Sequence, residues 1–174
     1  MNFTGQHRVK FENYTTDKIG LIVKSKGMYY NLDKGISPTT NDSLPEVELC
    51  NTNNCKSVFG VISDVEDDGN RKFNSGNFVS VYDKEDDINR IFVNSVGEGS
   101  VWVCNLNGDL ENGDYITTSI LTGYGQKQDD DILHNYTVAK ITQDIDFSNP
   151  LSWVDTRVVN NVVCAFVGCT YHCG

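Results

Sequence analysis

Long apolar runs are missing from this sequence of 174 residues. No stretch approaches the roughly 20 consecutive apolar residues that a membrane-spanning helix needs, so no membrane span is expected. The opening MNFTGQHRVKF lacks the apolar core of a secretory signal. The expectation is a protein made in a cytoplasm that leaves it, if at all, inside a particle. Basic residues are scarce: 14 Lys and Arg face 24 Asp and Glu, a formal net charge of −10. The acid clusters at Glu66-Asp67-Asp68, from Asp83 to Asp87, and at Asp129-Asp130-Asp131 repel phosphate backbones, which argues against a nucleic-acid partner. They fit solvated turns that keep a protein soluble. Helical periodicity is nearly absent too, with one turn conceivable over DKEDDIN (Asp83 to Asn89). A Gly-rich phosphate loop followed by Lys, a nucleophile elbow and an HExxH pair are all lacking. No cofactor is therefore assigned.

Six cysteines (Cys50, Cys55, Cys104, Cys164, Cys169, Cys173) are too few for a disulfide scaffold of this size. Without a signal peptide, free thiols are the default. Cys50-x4-Cys55 with Cys164-x4-Cys169-x2-His172-Cys173 would offer soft ligands to zinc, but the spacing is not the compact CxxC of zinc knuckles, and no metal is assigned. A Cys50–Cys55 or Cys169–Cys173 disulfide is the alternative in an exported particle. The run from Asp64 to Gly69 begins like a calcium loop, yet position 12 falls on Ser75 instead of a bidentate Glu. Cys104 beside His134 would make a thiol nucleophile and base, although Cys104 in SVWVC reads first as a packed strand cysteine.

What the sequence does contain is short segments rich in β-branched and aromatic residues, separated by Gly, Asn, Asp and Ser. They are IGLIVK (19–24), MYYNL (28–32), PEVEL (45–49), SVFGVIS (57–63), FVSVY (78–82), RIFVNS (90–95), SVWVC (100–104), DYITTS (114–119) and NYTVAKITQ (135–143). RVVNNVVCAFVG (157–168) reads as one long strand or a bent pair. Ser25-Lys26-Gly27 is expected to turn the first segment into the second, and Asn107-Gly108 and Asn112-Gly113 to supply the positive φ of hairpin turns. With 39% hydrophobic and 22% charged residues, the composition is that of a globular chain long enough for one core. The prediction is all-β: residues 1–174 as one compact sandwich or barrel of many short strands.

Three blocks carry a family resemblance. They are FTGQHR (Phe3 to Arg8), the stretch NSVGEGSVWVCNLNGDLENGDYITTSILTGYGQKQDDDILHNYTVAK (Asn94 to Lys140), and AFVGCTYHCG (Ala165 to Gly174). In this order they resemble the peptidase G2-like IMC autoproteolytic cleavage domain. That is the C-terminal intramolecular chaperone domain of phage tailspikes and neck appendages, also found in large DNA viruses. The resemblance implies a homotrimer, other virion proteins as partners, and a location in the virion after synthesis in the host cytoplasm.

It also implies self-cleavage of a glutamic or aspartic type, which needs a carboxylate whose pKa is moved by burial or by a like charge. The candidates in the central block are Glu98, flanked by Gly97 and Gly99, then Asp114 and the Asp129-Asp130-Asp131 run. His134 is placed to be oriented by Asp130 or Asp131. Against these stand a flexible hairpin tip for Glu98 and a surface or trimer-contact role for His134. His7 in GQHR would lie near the junction to an upstream passenger, but only Met1 and Asn2 stand before FTGQHR. A viral structural or assembly protein is therefore expected first. A self-cleaving endopeptidase with an internal site comes second. A receptor- or glycan-binding fibre module, with an aromatic platform near Gly123-Tyr124-Gly125, comes third. Trp102, Trp153, Tyr29-Tyr30 and Tyr124 serve either as subunit anchors or as core.

Overall fold

A computed structural model describes residues 5–30, 44–65, 72–75, 78–83 and 90–173. Thirteen strands are present among them: β1 (Gln6–Lys10), β2 (Ile22–Tyr30), β3 (Leu44–Leu49), β4 (Val58–Val65), β5 (Lys72–Ser75), β6 (Phe78–Asp83), β7 (Arg90–Asn94), β8 (Val96–Cys104), β9 (Tyr115–Thr118), β10 (Gly125–Lys127), β11 (Ala139–Ile141), β12 (Thr156–Val159) and β13 (Val162–His172). Two short 3₁₀ turns, Thr16–Lys18 and Asn105–Asn107, complete the described elements. The chain is all-β. The forecast helical turn over Asp83 to Asn89, the cluster at Glu66 to Asp68 and most of the calcium-like loop lie outside the described residues.

Strands β1, β3, β2, β4 and β7 close into a barrel in that order. Closure pairs every strand on both sides and leaves no barrel edge open. Its β1–β3 contact is parallel and the rest are antiparallel. The second sheet runs β11-β9-β10-β8-β13-β12, and β11 also pairs with β13, so five of its strands form a ring. Strand β12 stands outside that ring and pairs with β13 alone among the described strands. A third pairing joins β5 to β6.

The two sheets share their cores. Successive side chains of a strand point to opposite faces, and on β8 both faces are covered. Val101 and Val103 enter one cluster with Ile22 of β2 and Val61 of β4, while Trp102 and Cys104 enter the other with Val9, Val23, Ile62, Ile91 and Val93. That is why VWVC carries no polar residue. Between the sheets Trp102 stacks on Phe166 at 5.1 Å. The Arg157 guanidinium lies 3.6 Å from the Trp102 ring centroid and donates to Tyr124 Oη at 3.0 Å.

Two expectations are corrected. Ser25-Lys26-Gly27 does not turn the chain back, because residues on both sides of it, Val23 to Ser25 and Tyr29 to Tyr30, pair with the same strand, β3. A register shift between Ser25 and Tyr29, with Gly27 at φ +75°, absorbs the irregularity as a bulge. Among the described residues, a two-residue hairpin turn is formed by Asn160-Asn161 between β12 and β13, at φ +49° and +63°. Both residues take the left-handed region that this turn demands and that Asn tolerates. The 157–168 run is thus a hairpin, and Gly108 instead ends the Asn105–Asn107 turn.

Candidate functional site

The three blocks that carry the resemblance meet at Ser95, between β7 and β8. The Ser95 amide donates to Gly5 O at 2.8 Å, and the Cys173 amide donates to Ser95 O at 2.9 Å. Its hydroxyl donates to Gly5 O at 3.1 Å and lies 2.9 Å from His7 Nε2. A serine beside an imidazole is the material of nucleophilic catalysis. Here, however, both backbone groups and the hydroxyl of Ser95 are spent on holding the first and last strands together. Burial lowers the His7 pKa from its ordinary value and favours the neutral ring, which packs edge-on against Phe59 at 5.5 Å.

Glu98 lies within β8, opposite Thr170 of β13, and not at a hairpin tip. The residue borders a cleft of about 380 Å³ with Gly99, Ser100, Thr142, Cys169 and Thr170. The glycine beside it has a steric cause. The Tyr171 hydroxyl donates to Ser100 O at 2.8 Å and accepts from Ser100 N at 2.9 Å. It would sit 2.3 Å from a Cβ on residue 99. Gly99 thus makes room for a buried tyrosine and does not serve Glu98.

Asp114 is spent on a turn and an ion pair. Its Oδ2 accepts from the Glu111 amide at 2.7 Å and meets Lys127 Nζ at 2.8 Å. The hydrogen bond to Asp114 is the largest cause of a raised Lys127 pKa. Both contacts are structural: they close the 111–114 turn and tie it to β10.

Asp130 and His134 do meet: His134 Nε2 is 3.0 Å from both carboxylate oxygens of Asp130. Of the pairing expected from the sequence, Asp130 is the partner. Asp130 Oδ1 also accepts from Gln128 Nε2 at 2.9 Å and from the Ile132 amide at 3.1 Å. The buried Gln128 amide ties the same loop through Ile132 O at 2.7 Å, and its oxygen accepts from Thr137 at 2.7 Å. The imidazole stacks on Tyr136 at 4.5 Å. The hydrogen bond with His134, then that with the Ile132 amide, holds the Asp130 pKa below the usual carboxylate value. That is opposite in sign to the raised carboxyl a general acid requires. The network orders the loop 128–137.

The four candidates therefore occupy separate places, and only Asp130 and His134 touch. Among the described residues, no three His, Cys, Asp or Glu side chains converge as a metal site. All six cysteines are free thiols. Cys104 and Cys164 face each other across β8 and β13, both fully buried, and His134 bonds Asp130 rather than Cys104. Trp102 and Tyr124 are core residues at 7% and 5% exposure, so Tyr124 offers no exposed platform, whereas Trp153 at 67% and Tyr29 at 41% face outward. The Arg157 clamp and the Ser95 junction were not legible in the sequence, because each joins residues far apart in the chain. No protein-family model, no characterised protein and no solved structure matches this chain.

Proposed function

We propose that this protein is a self-associating structural β module of a virus particle, assembling as a homotrimer with other virion proteins as neighbours. One observation carries the proposal. Leu151, Trp153 and Val158, within eight residues of sequence, are 57%, 67% and 68% exposed along the segment that leads into β12 and along β12 itself. The strand pairs with β13 alone among the described strands. A free strand edge flanked by large apolar side chains is a surface that a second chain covers, and a closed rotational assembly covers it on every copy at once. The resemblance of the three sequence blocks to a trimeric chaperone domain supports three as the number of copies. The dispersal of Glu98, Asp114 and the Asp130–His134 pair supports a structural role over self-cleavage.

Native mass spectrometry followed by denaturing mass on the same sample tests this. The expected result is a trimer of intact chains, converted to monomer with unchanged circular dichroism by Trp153→Ser with Val158→Lys. A monomeric wild type, or a trimer indifferent to both substitutions, refutes it. A trimer of shortened chains supports self-cleavage instead.

A further inference from the structure

Cys50 and Cys55 bracket the loop between β3 and β4, where the barrel meets the second sheet. The loop is docked on both sides. The Cys50 amide donates to Ile22 O at 3.0 Å, and Cys50 O accepts from the Gly123 amide at 2.7 Å. The Cys55 amide donates to Thr118 Oγ1 at 2.9 Å, and that hydroxyl donates to Thr52 O at 2.7 Å. Thr117 Oγ1 donates to Asn54 Oδ1 at 2.9 Å. Both sulfurs belong to the core cluster shared by the two sheets, yet residues 51–54, 56 and 57 around them are exposed.

Each thiol influences the other's ionisation, and Cys55 Sγ lies 3.3 Å from Ser57 Oγ. Their surroundings are unequal. Burial works against ionising Cys55, but hydrogen bonds from the Ser57 side chain and amide, from Thr52 and from Cys50 outweigh it, and its pKa is lowered. Burial first, then the neighbouring Cys55, pushes the Cys50 thiol far up. The thiolate is the reactive form. Elsewhere, burial pushes Cys164, Cys169 and Cys173 up to about 12. The Cys104–Cys164 pair sits inside a strand ladder with no exposed loop beside it.

We propose that Cys50 and Cys55 form a reactive dithiol for exchange with low-molecular-weight disulfides, Cys55 attacking and Cys50 resolving. The Cys55 thiolate attacks one sulfur of glutathione disulfide, the S–S bond breaks, and one glutathione thiolate leaves. Cys50 then attacks the Cys55 sulfur of the mixed disulfide and expels the second glutathione thiolate, which takes up the Cys50 proton. The protein dithiol is oxidised to a disulfide, and one glutathione disulfide is reduced to two thiols. Held by hydrogen bonds to the second sheet on both flanks, the closed ring would lock the junction between the sheets. This holds whether or not the chain is trimeric.

The test uses the full reduced chain with glutathione disulfide. Residues 35–56 form one tryptic peptide containing both cysteines and no others. It is expected to lose two hydrogens while Cys104, Cys164, Cys169 and Cys173 stay alkylatable. Cys50→Ser is expected to accumulate a glutathione adduct on Cys55, and Cys55→Ser to leave Cys50 unmodified. Independently of any variant, limiting iodoacetamide on the native wild type should label Cys55 on the order of tenfold faster than any other cysteine, following its larger thiolate fraction. An unchanged 35–56 peptide, faster labelling elsewhere, or a glutathione adduct on Cys50 at the wild-type rate in Cys55→Ser overturns the assignment.

Discussion

Gly20→Ala is expected to be among the most damaging one-carbon changes in the protein. Gly20 has φ +86°, and a Cβ built there would lie 2.4 Å from Phe166 Cε2 and 2.8 Å from Trp102 Cδ1. Neither ring can retreat, because they stack on each other and Arg157 covers Trp102. The backbone cannot retreat either. The Gly20 amide donates to Ile62 O at 2.8 Å, and its carbonyl accepts from the Trp102 amide at 2.9 Å. An L residue in the left-handed region costs about 1–2 kcal/mol, and overpacking a filled core costs about 1–3 kcal/mol, together about 2–5 kcal/mol if they add. Gly27 separates the two. It has φ +75° but nothing within 4 Å of its Cβ position, so Gly27→Ala carries the backbone cost alone.

Urea unfolding, followed in parallel by tryptophan fluorescence and far-ultraviolet circular dichroism, compares both variants with wild type. With a slope of about 2 kcal/mol/M, the Gly20 variant should unfold about 0.5–1.5 M earlier than the Gly27 variant. Equal midpoints for the two would refute the packing of Gly20 beneath Phe166 and Trp102.

Two further outcomes follow from the same geometry. Arg157→Lys keeps the charge but loses the flat guanidinium over Trp102 and the paired donations to Tyr124 Oη and Asp17 O. It should destabilise by about 1–2 kcal/mol and shift tryptophan emission, whereas a wild-type urea midpoint would remove the clamp from the account. The folded pKa of His7 lies below its unfolded value of 6.5 because of burial, so the unfolded chain binds the proton first as pH falls. Stability from this group is therefore lost as pH drops from about 6.5 through the folded value. His7→Gln should flatten the fall in urea midpoint between about pH 7 and pH 5, and an unchanged slope would show that His7 does not contribute.

The strand segments were readable from residue types alone, since apolar β-branched runs bounded by Asn, Gly and Asp bury a pleated face whatever their partners. PEVEL, SVFGVIS, RIFVNS and DYITTS all fall on strands within a few residues of the expected bounds. The three residues of β10 were not legible. GQK has no apolar pattern of its own and is a strand only because β8 and β9 flank it. Likewise Gly97-Glu98-Gly99 reads as a flexible tip, and only the ladder to β13 and the Tyr171 hydroxyl explain why glycine stands at 99.

For the candidate site, sequence spacing could bring Asp130 to His134, because four residues of one ordered loop lie within reach of each other. Whether Glu98 and Asp114 approach one another depends on sheet order, which a list of strands does not contain. The sequence by itself determined the all-β class, the acidic surface and the presence of six thiols. The tertiary structure alone decided which thiols are buried, which aromatics are core, and which apolar side chains remain outside. Those outcomes turn on long-range strand register, and a shift of one residue exchanges the two faces of every strand.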